Sequence, residues 1–174
     1  FGFEKVSELK KWFIEQYAGQ SVRIDDDGAI IGFSKNKLSA SIKRKNKEAQ
    51  VATYSGLEDL IKNAKYFDFA PNDGKIKHQN LSGQDIYYSA MQIGNKYYSV
   101  RFKFDITKGD LSSIYKDHQV KEVKISPVAY HAVDEDKTST KPHALTGDKL
   151  TFTLSDLTNG VKPENVSKVV DENG

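Results

Sequence analysis

The feature that most constrains this chain is the run "IYYSAMQIGNKYYSVRFKFDI", residues 86–106. Two alternating segments meet at Gly94-Asn95, the signature of a two-residue β-hairpin turn. That turn fixes the register. It predicts Met91 opposite Tyr98, Ser89 opposite Val100 and Tyr87 opposite Phe102, with Tyr98, Val100, Phe102 and Phe104 on the buried side. The other side then carries Tyr97, Ser99, Arg101 and Lys103, with Ala90 opposite Ser99 and Tyr88 opposite Arg101. Two cations in line with tyrosines make that side either a solvated face or the floor of a site for an anion.

The remainder reads as helices around this sheet. "FEKVSELKKWFIEQYAGQ" has apolar residues at 6, 9, 13 and 17 with Trp12 beside them, which is helical spacing, and Gly19 is its stop. "SVRIDDDGAIIGFS" is two short β-prone runs around an Asp-Gly turn. "KNKLSASIKRKNKEAQ" is a short amphipathic helix or a mobile basic segment. Ser55 and Glu58 have capping-box spacing, and Leu57, Leu60, Ile61 and Ala64 predict a helix over about 55–65. "FAPNDGKIKHQNLSGQD" reads as a loop. "TKGDLSSIYKDHQ" reads as a connection into a further strand, "VKEVKIS". Residues 134–149 read as a polar loop, followed by a short cap at "TLSDLTNG". Helices first and an antiparallel sheet after predict an α+β fold: N-terminal helices packed on a twisted antiparallel β-sheet of about four strands. The predicted organisation is a domain over 1–130, then a polar loop and C-terminal extension over 131–174. The chain opens on Phe1 and ends "VVDENG", which reads as a fragment of a longer polypeptide.

Composition narrows the chemistry. There are 174 residues with a formal net charge of +2, so anion binding has to come from local patches and not from bulk charge. There is no cysteine, which excludes disulfides, thiolate metal sites and a cysteine nucleophile. It fits a reducing cytosol or a chain that crosses compartments. No apolar run reaches the roughly 20 residues of a membrane span. Walker, HExxH, GxSxG, dinucleotide and EF-hand patterns are absent. No metal or cofactor is expected.

Four histidines remain: His78, His118, His131 and His143. His78 and His118 lie in segments that flank the hairpin. Two imidazoles and an arginine can cleave RNA without metal: one removes the 2'-hydroxyl proton, the other protonates the leaving 5'-oxygen, and the guanidinium holds the phosphate. The candidate catalytic set is therefore His78, His118 and Arg101, with Tyr88, Tyr97, Tyr115, Lys77 and Lys103 as candidate substrate contacts. Each has a plainer reading. A loop histidine is often structural, Arg101 can stack on Tyr88 in solvent, Lys77 and Lys103 can face water, and Tyr115 can anchor the core.

The succession "DDGAIIGFSKNKL", "SGLEDLIKNAKYF", "KHQN", "NKYYSVRFKFD" and "IYKDHQVKEVKIS", over roughly residues 20–126, resembles the RNase-like domain of the large polyvalent proteins of phages and mobile elements. That group belongs to the barnase–EndoU–colicin–RelE superfamily. The resemblance implies helices followed by a four-stranded antiparallel sheet, an active site on the open sheet face, and metal-independent cleavage to a 2',3'-cyclic phosphate by a toxin or effector module. It implies RNA, including tRNA, as substrate, a cognate immunity protein, and other domains of a longer polypeptide as partners. It also implies action in the cytoplasm of a host or target cell, after delivery with a phage particle or a secretion system. "NVSKVVDENG" is similar to the lead-in to a following domain, often ADP-ribosyltransferase-like. By position His78, Arg101, His118 and Tyr115 match the family pattern. The competing readings are a non-catalytic module that binds RNA or protein, which includes a structural or injected phage protein, and a transferase using a nucleotide cofactor.

Overall fold

The computed structural model describes residues 6–42, 52–75, 80–109, 112–123, 142–144, 154–159 and 161–164. Helix α1 is Val6–Tyr17, and its apolar spacing buries Leu9 and Phe13. Strands β1 (Ser21–Arg23) and β2 (Ile30–Gly32) form the hairpin expected around Asp-Gly. Helix α2 (Lys35–Ser41) starts on Ser34, whose hydroxyl accepts from the Lys37 N–H at 3.3 Å. A 3-10 turn over Thr53–Gly56 runs into α3 (Leu57–Lys62). The capping box predicted there is not formed: the Ser55 hydroxyl donates to the Ala52 carbonyl instead. Leu57, Leu60, Ile61 and Ala64 are buried as the spacing requires.

The sheet holds more strands than expected. β3 (Lys65–Pro71) starts where the helix over about 55–65 was expected to end and runs on into the stretch from Phe69 that its Pro, Asn and Gly content marks as loop. β4 (Leu81–Ile93) and β5 (Lys96–Thr107) form the long hairpin, β6 (Ser113–Val123) pairs with β5, and β7 (Pro142–Ala144) pairs with the end of β4. The order is β1-β2-β6-β5-β4-β3, six strands with β7 attached to β4. The β1–β2 hairpin joins through β2, which runs parallel to β6, so the sheet is mixed and not antiparallel throughout. The class remains α+β.

Every hairpin pair expected from the turn is observed, from Met91 with Tyr98 to Tyr88 with Arg101. Gly94 takes φ 61° at the first central position, which suits glycine in a type II' turn. Three extra residues, Phe67 in β3, Ser82 in β4 and Lys116 in β6, break the ladders. Such bulges raise local twist and bend the strands, which lets the sheet curl. The curl brings the β1–β2 turn to β4, where the buried Tyr87 hydroxyl donates to Asp27 Oδ2 at 2.6 Å.

One face of the curl receives the helices. Phe13, Phe33, Leu38, Tyr54, Leu57 and Leu60 pack there on Tyr87, Val100, Phe102, Phe104 and Tyr115. Each fully buried Phe or Leu adds roughly 1.5–3 kcal/mol of apolar transfer. The other face, called the outer face below, carries a short helix α4 (Leu154–Leu157) at one end, with Leu157 and Thr158 buried.

Candidate nucleic-acid interface on the outer sheet face

The strict alternation of β4 and β5 sends Tyr88 and Arg101 to the outer face as a cross-strand pair, and β6 adds Gln119 opposite Arg101. A fourth residue joins from β3. Phe67 is the bulge residue there, and its ring meets Tyr88 edge-on at 5.1 Å. The row Phe67, Tyr88, Arg101, Gln119 thus crosses four strands. One Arg101 nitrogen donates to Gln119 Oε1 at 2.6 Å, and the guanidinium lies close enough to the Tyr88 phenol to favour its ionised form. Both of these neighbours are neutral. No carboxylate among the described residues is paired with Arg101, so its charge is positioned but not neutralised.

Cations surround this row. Lys103 pairs with Asp117 in the ladder on one side, and the exposed Lys121 pairs with Ser99 on the other. Partial burial, helped by the nearby Arg101 charge, holds the Lys103 ammonium below its ordinary pKa, while Asp117 opposes this. Burial raises the Tyr88 phenol, and Arg101 works against that rise. The segment after α4 borders the row. Leu157, Tyr88, Ser99, Arg101, Gln119 and Lys121 line a cleft of about 190 Å³. Farther on, the Glu164 N–H donates to Asp68 Oδ2 at 2.9 Å, so the segment crosses the outer face toward β3.

The predicted site residues are divided by this geometry. Tyr88, Arg101, Lys103 and Tyr97 share the outer face, as the alternation required. His118 and Tyr115 do not join them. His118 was expected in a connection before a strand; it lies inside β6, opposite Phe102, and is 1% exposed. Tyr115 is fully buried, so it cannot stack on a base in this fold. The cause is the bulge. Residues three apart on a regular strand face opposite ways, but the extra Lys116 returns Tyr115 and His118 to the same inner face. There the Tyr115 hydroxyl and His118 Nδ1 are hydrogen-bonded at 2.7 Å, and His118 Nε2 bonds to the Thr53 hydroxyl. The imidazole packs edge-on against Tyr54 at 4.7 Å. Burial pushes the Tyr54 phenol up to about 12 and raises Tyr115 well above the ordinary tyrosine value. This is a polar thread through the core.

His78 and Lys77 lie outside the described residues, as does His131. His143 sits in β7 across from Gln92. Sequence reasoning missed Phe67 and Gln119. Phe67 was hidden because it closes "SGLEDLIKNAKYF", a segment read for its helix, although "KYFDF" carries an aromatic strand signal. Gln119 was hidden because β6 was begun too late.

No group of three or more His, Asp or Glu side chains suited to a metal ion occurs among the described residues, and no helix among them is long and apolar enough to cross a membrane. No curated protein and no solved structure matches the chain. A family model does: that of large polyvalent protein-associated domain 3, over residues 4–110. The match takes in α1 through β5, including Tyr88, Arg101 and Lys103, and ends before β6. The chain, matched over more than half its length, belongs to the large polyvalent protein-associated domain 3 family.

Proposed function

We propose that this domain is a single-stranded RNA-binding module of a polyvalent protein, working through the outer face of its sheet. The observation that carries the reading is Arg101, held by the neutral Gln119, standing opposite Tyr88 and left with its charge available. A guanidinium so held offers a planar fork to a phosphodiester without first breaking an ion pair. Tyr88 and Phe67 beside it supply ring surface for a base, and base–aromatic stacking contributes roughly 1–3 kcal/mol per base. Lys103 on β5 and Lys121 on β6 add cations on either side of this row. The superfamily resemblance favours RNA over DNA.

Cleavage is the alternative that the sequence raises, and the position of His118 counts against its two-histidine form. General acid–base work needs the imidazole within hydrogen-bond reach of the reacting oxygen, whereas His118 is enclosed on the inner face.

The test uses a fluorescein-labelled RNA decamer in EDTA at low salt, read by anisotropy and then by denaturing gel. The expected result is saturable binding with Kd on the order of 1–100 µM, intact RNA, and weakening by at least about tenfold in Arg101→Gln. Equal binding by R101Q would overturn the assignment of the face. Cleavage abolished by R101Q would overturn the non-catalytic reading.

A further inference from the structure

The outer-face cleft is small and cationic. Its volume of about 190 Å³ lies below the roughly 300–1,000 Å³ of sites that enclose a whole small molecule. It has room for one chemical group of a larger ligand, and its lining selects which. Arg101 and Lys121 are its charged side chains, and no carboxylate stands beside them among the described lining residues. No ion pair among the described residues involves either cation. Gln119 adds a third donor. An arginine can only donate, so the bond from Arg101 occupies the Gln119 amide oxygen and leaves the amide NH2 to donate elsewhere.

A single-stranded RNA offers three kinds of group to such a cleft. A base is neutral and gives neither cation a counter-charge. An internal phosphodiester brings about one negative charge. A phosphate monoester at a chain end brings about −1.5 to −2 at pH 7, spread over three strong acceptor oxygens. Two cations and three donor groups match the monoester.

The course of the backbone points the same way. β2 pairs with β6 at Ser113 and Ile114, near its start, so Gln119 and Lys121 lie on the margin of the described sheet. There α4 and the turn after it stand against the outer face, with Leu157 and Thr158 buried. The turn is closed by the Thr158 hydroxyl, which donates to the Val161 carbonyl at 3.1 Å, and Asn159 takes φ 61° within it. A strand that enters along the row from Phe67 therefore meets a wall beyond Arg101. A chain end can stop at that wall, whereas a continuous strand has to leave the row.

We propose, building on the RNA-binding reading above, that this cleft receives the terminal phosphate monoester of a single-stranded RNA, held by Arg101, Gln119 and Lys121. The outer face then recognises a chain end and is not a track for a passing strand.

The test is competition by unlabelled RNA decamers against the fluorescein-labelled decamer, at pH 8 in EDTA and low salt. The competitors share one sequence and carry hydroxyls at both ends, a 5'-phosphate, or a 3'-phosphate. At least one phosphorylated decamer is expected to compete at least about tenfold better than the hydroxyl-ended one, and the better of the two names the end. Lys121→Gln, at an exposed position, is expected to cut that preference to about twofold or less. Lys103→Gln removes an equal charge outside the cleft, so it should weaken all three competitors alike and keep the preference. Inorganic phosphate, with ionic strength matched by chloride, should displace the label only at concentrations at least about a hundredfold above those of the phosphorylated decamer. Equal competition by all three decamers, a preference that survives in Lys121→Gln, or one that Lys103→Gln erases as fully would each overturn the proposal and leave the RNA-binding reading standing. Displacement by inorganic phosphate at the decamer's own concentrations would overturn it too, by making the cleft a site for the free ion. Failure of the labelled decamer to bind at all would refute the RNA-binding reading, and the proposal with it.

Discussion

Replacing His118 by alanine separates a structural imidazole from a catalytic one. His118 is 1% exposed, bonded through Nδ1 to Tyr115 and through Nε2 to Thr53, with its ring against Tyr54 and Phe102. Truncation removes a partner from two buried hydroxyls, a net loss of about 1 kcal/mol for each bond. It also leaves a ring-sized void beside Tyr54, and large-to-small changes of this kind cost about 2–5 kcal/mol. His118→Ala should therefore lower stability by about 4 kcal/mol, a large share of the roughly 5–15 kcal/mol of an ordinary domain. Thr53→Val keeps the shape and removes one bond, so about 1 kcal/mol is expected. Urea unfolding followed by far-ultraviolet circular dichroism, at constant m-value, reads both. RNA binding by whatever fraction of His118→Ala stays folded should match the wild type. A midpoint shift worth less than about 1 kcal/mol in His118→Ala, with RNA handling lost, would refute the reasoning and return the histidine to the site.

Other consequences are as direct. Asp27→Ala strips the acceptor from the fully buried Tyr87 hydroxyl and should cost about 1–3 kcal/mol in urea, more than Tyr87→Phe, which leaves the exposed Asp27 to water. Gly83→Ala should be among the most damaging single changes, because a Cβ there would lie 2.4 Å from the Ala70 carbonyl oxygen and 2.6 Å from the Phe69 ring; thermal unfolding measures it. Alkaline pH should destabilise the domain steeply. Tyr54, Tyr87 and Tyr115 all have raised folded pKa values, burial being the first cause in each. Their contribution is intact below pH 10, where the unfolded tyrosine keeps its proton, and is lost as pH climbs toward 12, by about 1 kcal/mol per pH unit and group. A flat urea midpoint between pH 9 and 11 would contradict this.

What could be read from the sequence was the part governed by strict periodicity. A two-residue turn between alternating runs allows one register, so the pairing from Met91 with Tyr98 to Tyr87 with Phe102 and the outward position of Arg101 followed from residues 86–106, whereas the first residues of β4, from Leu81 to Asp85, had read as loop. The α1 core face followed from a 3.6-residue period in the same way. The misreadings have a common cause in broken periodicity. Phe67 interrupts β3 and Lys116 interrupts β6, each by one residue that no alternation rule anticipates. The parallel joining of β2 to β6 links segments some 80 residues apart, and local pattern carries no record of such a pairing. The resemblance placed Tyr115 and His118 at a site by their spacing of three. The same spacing, with a bulge between them, serves the core.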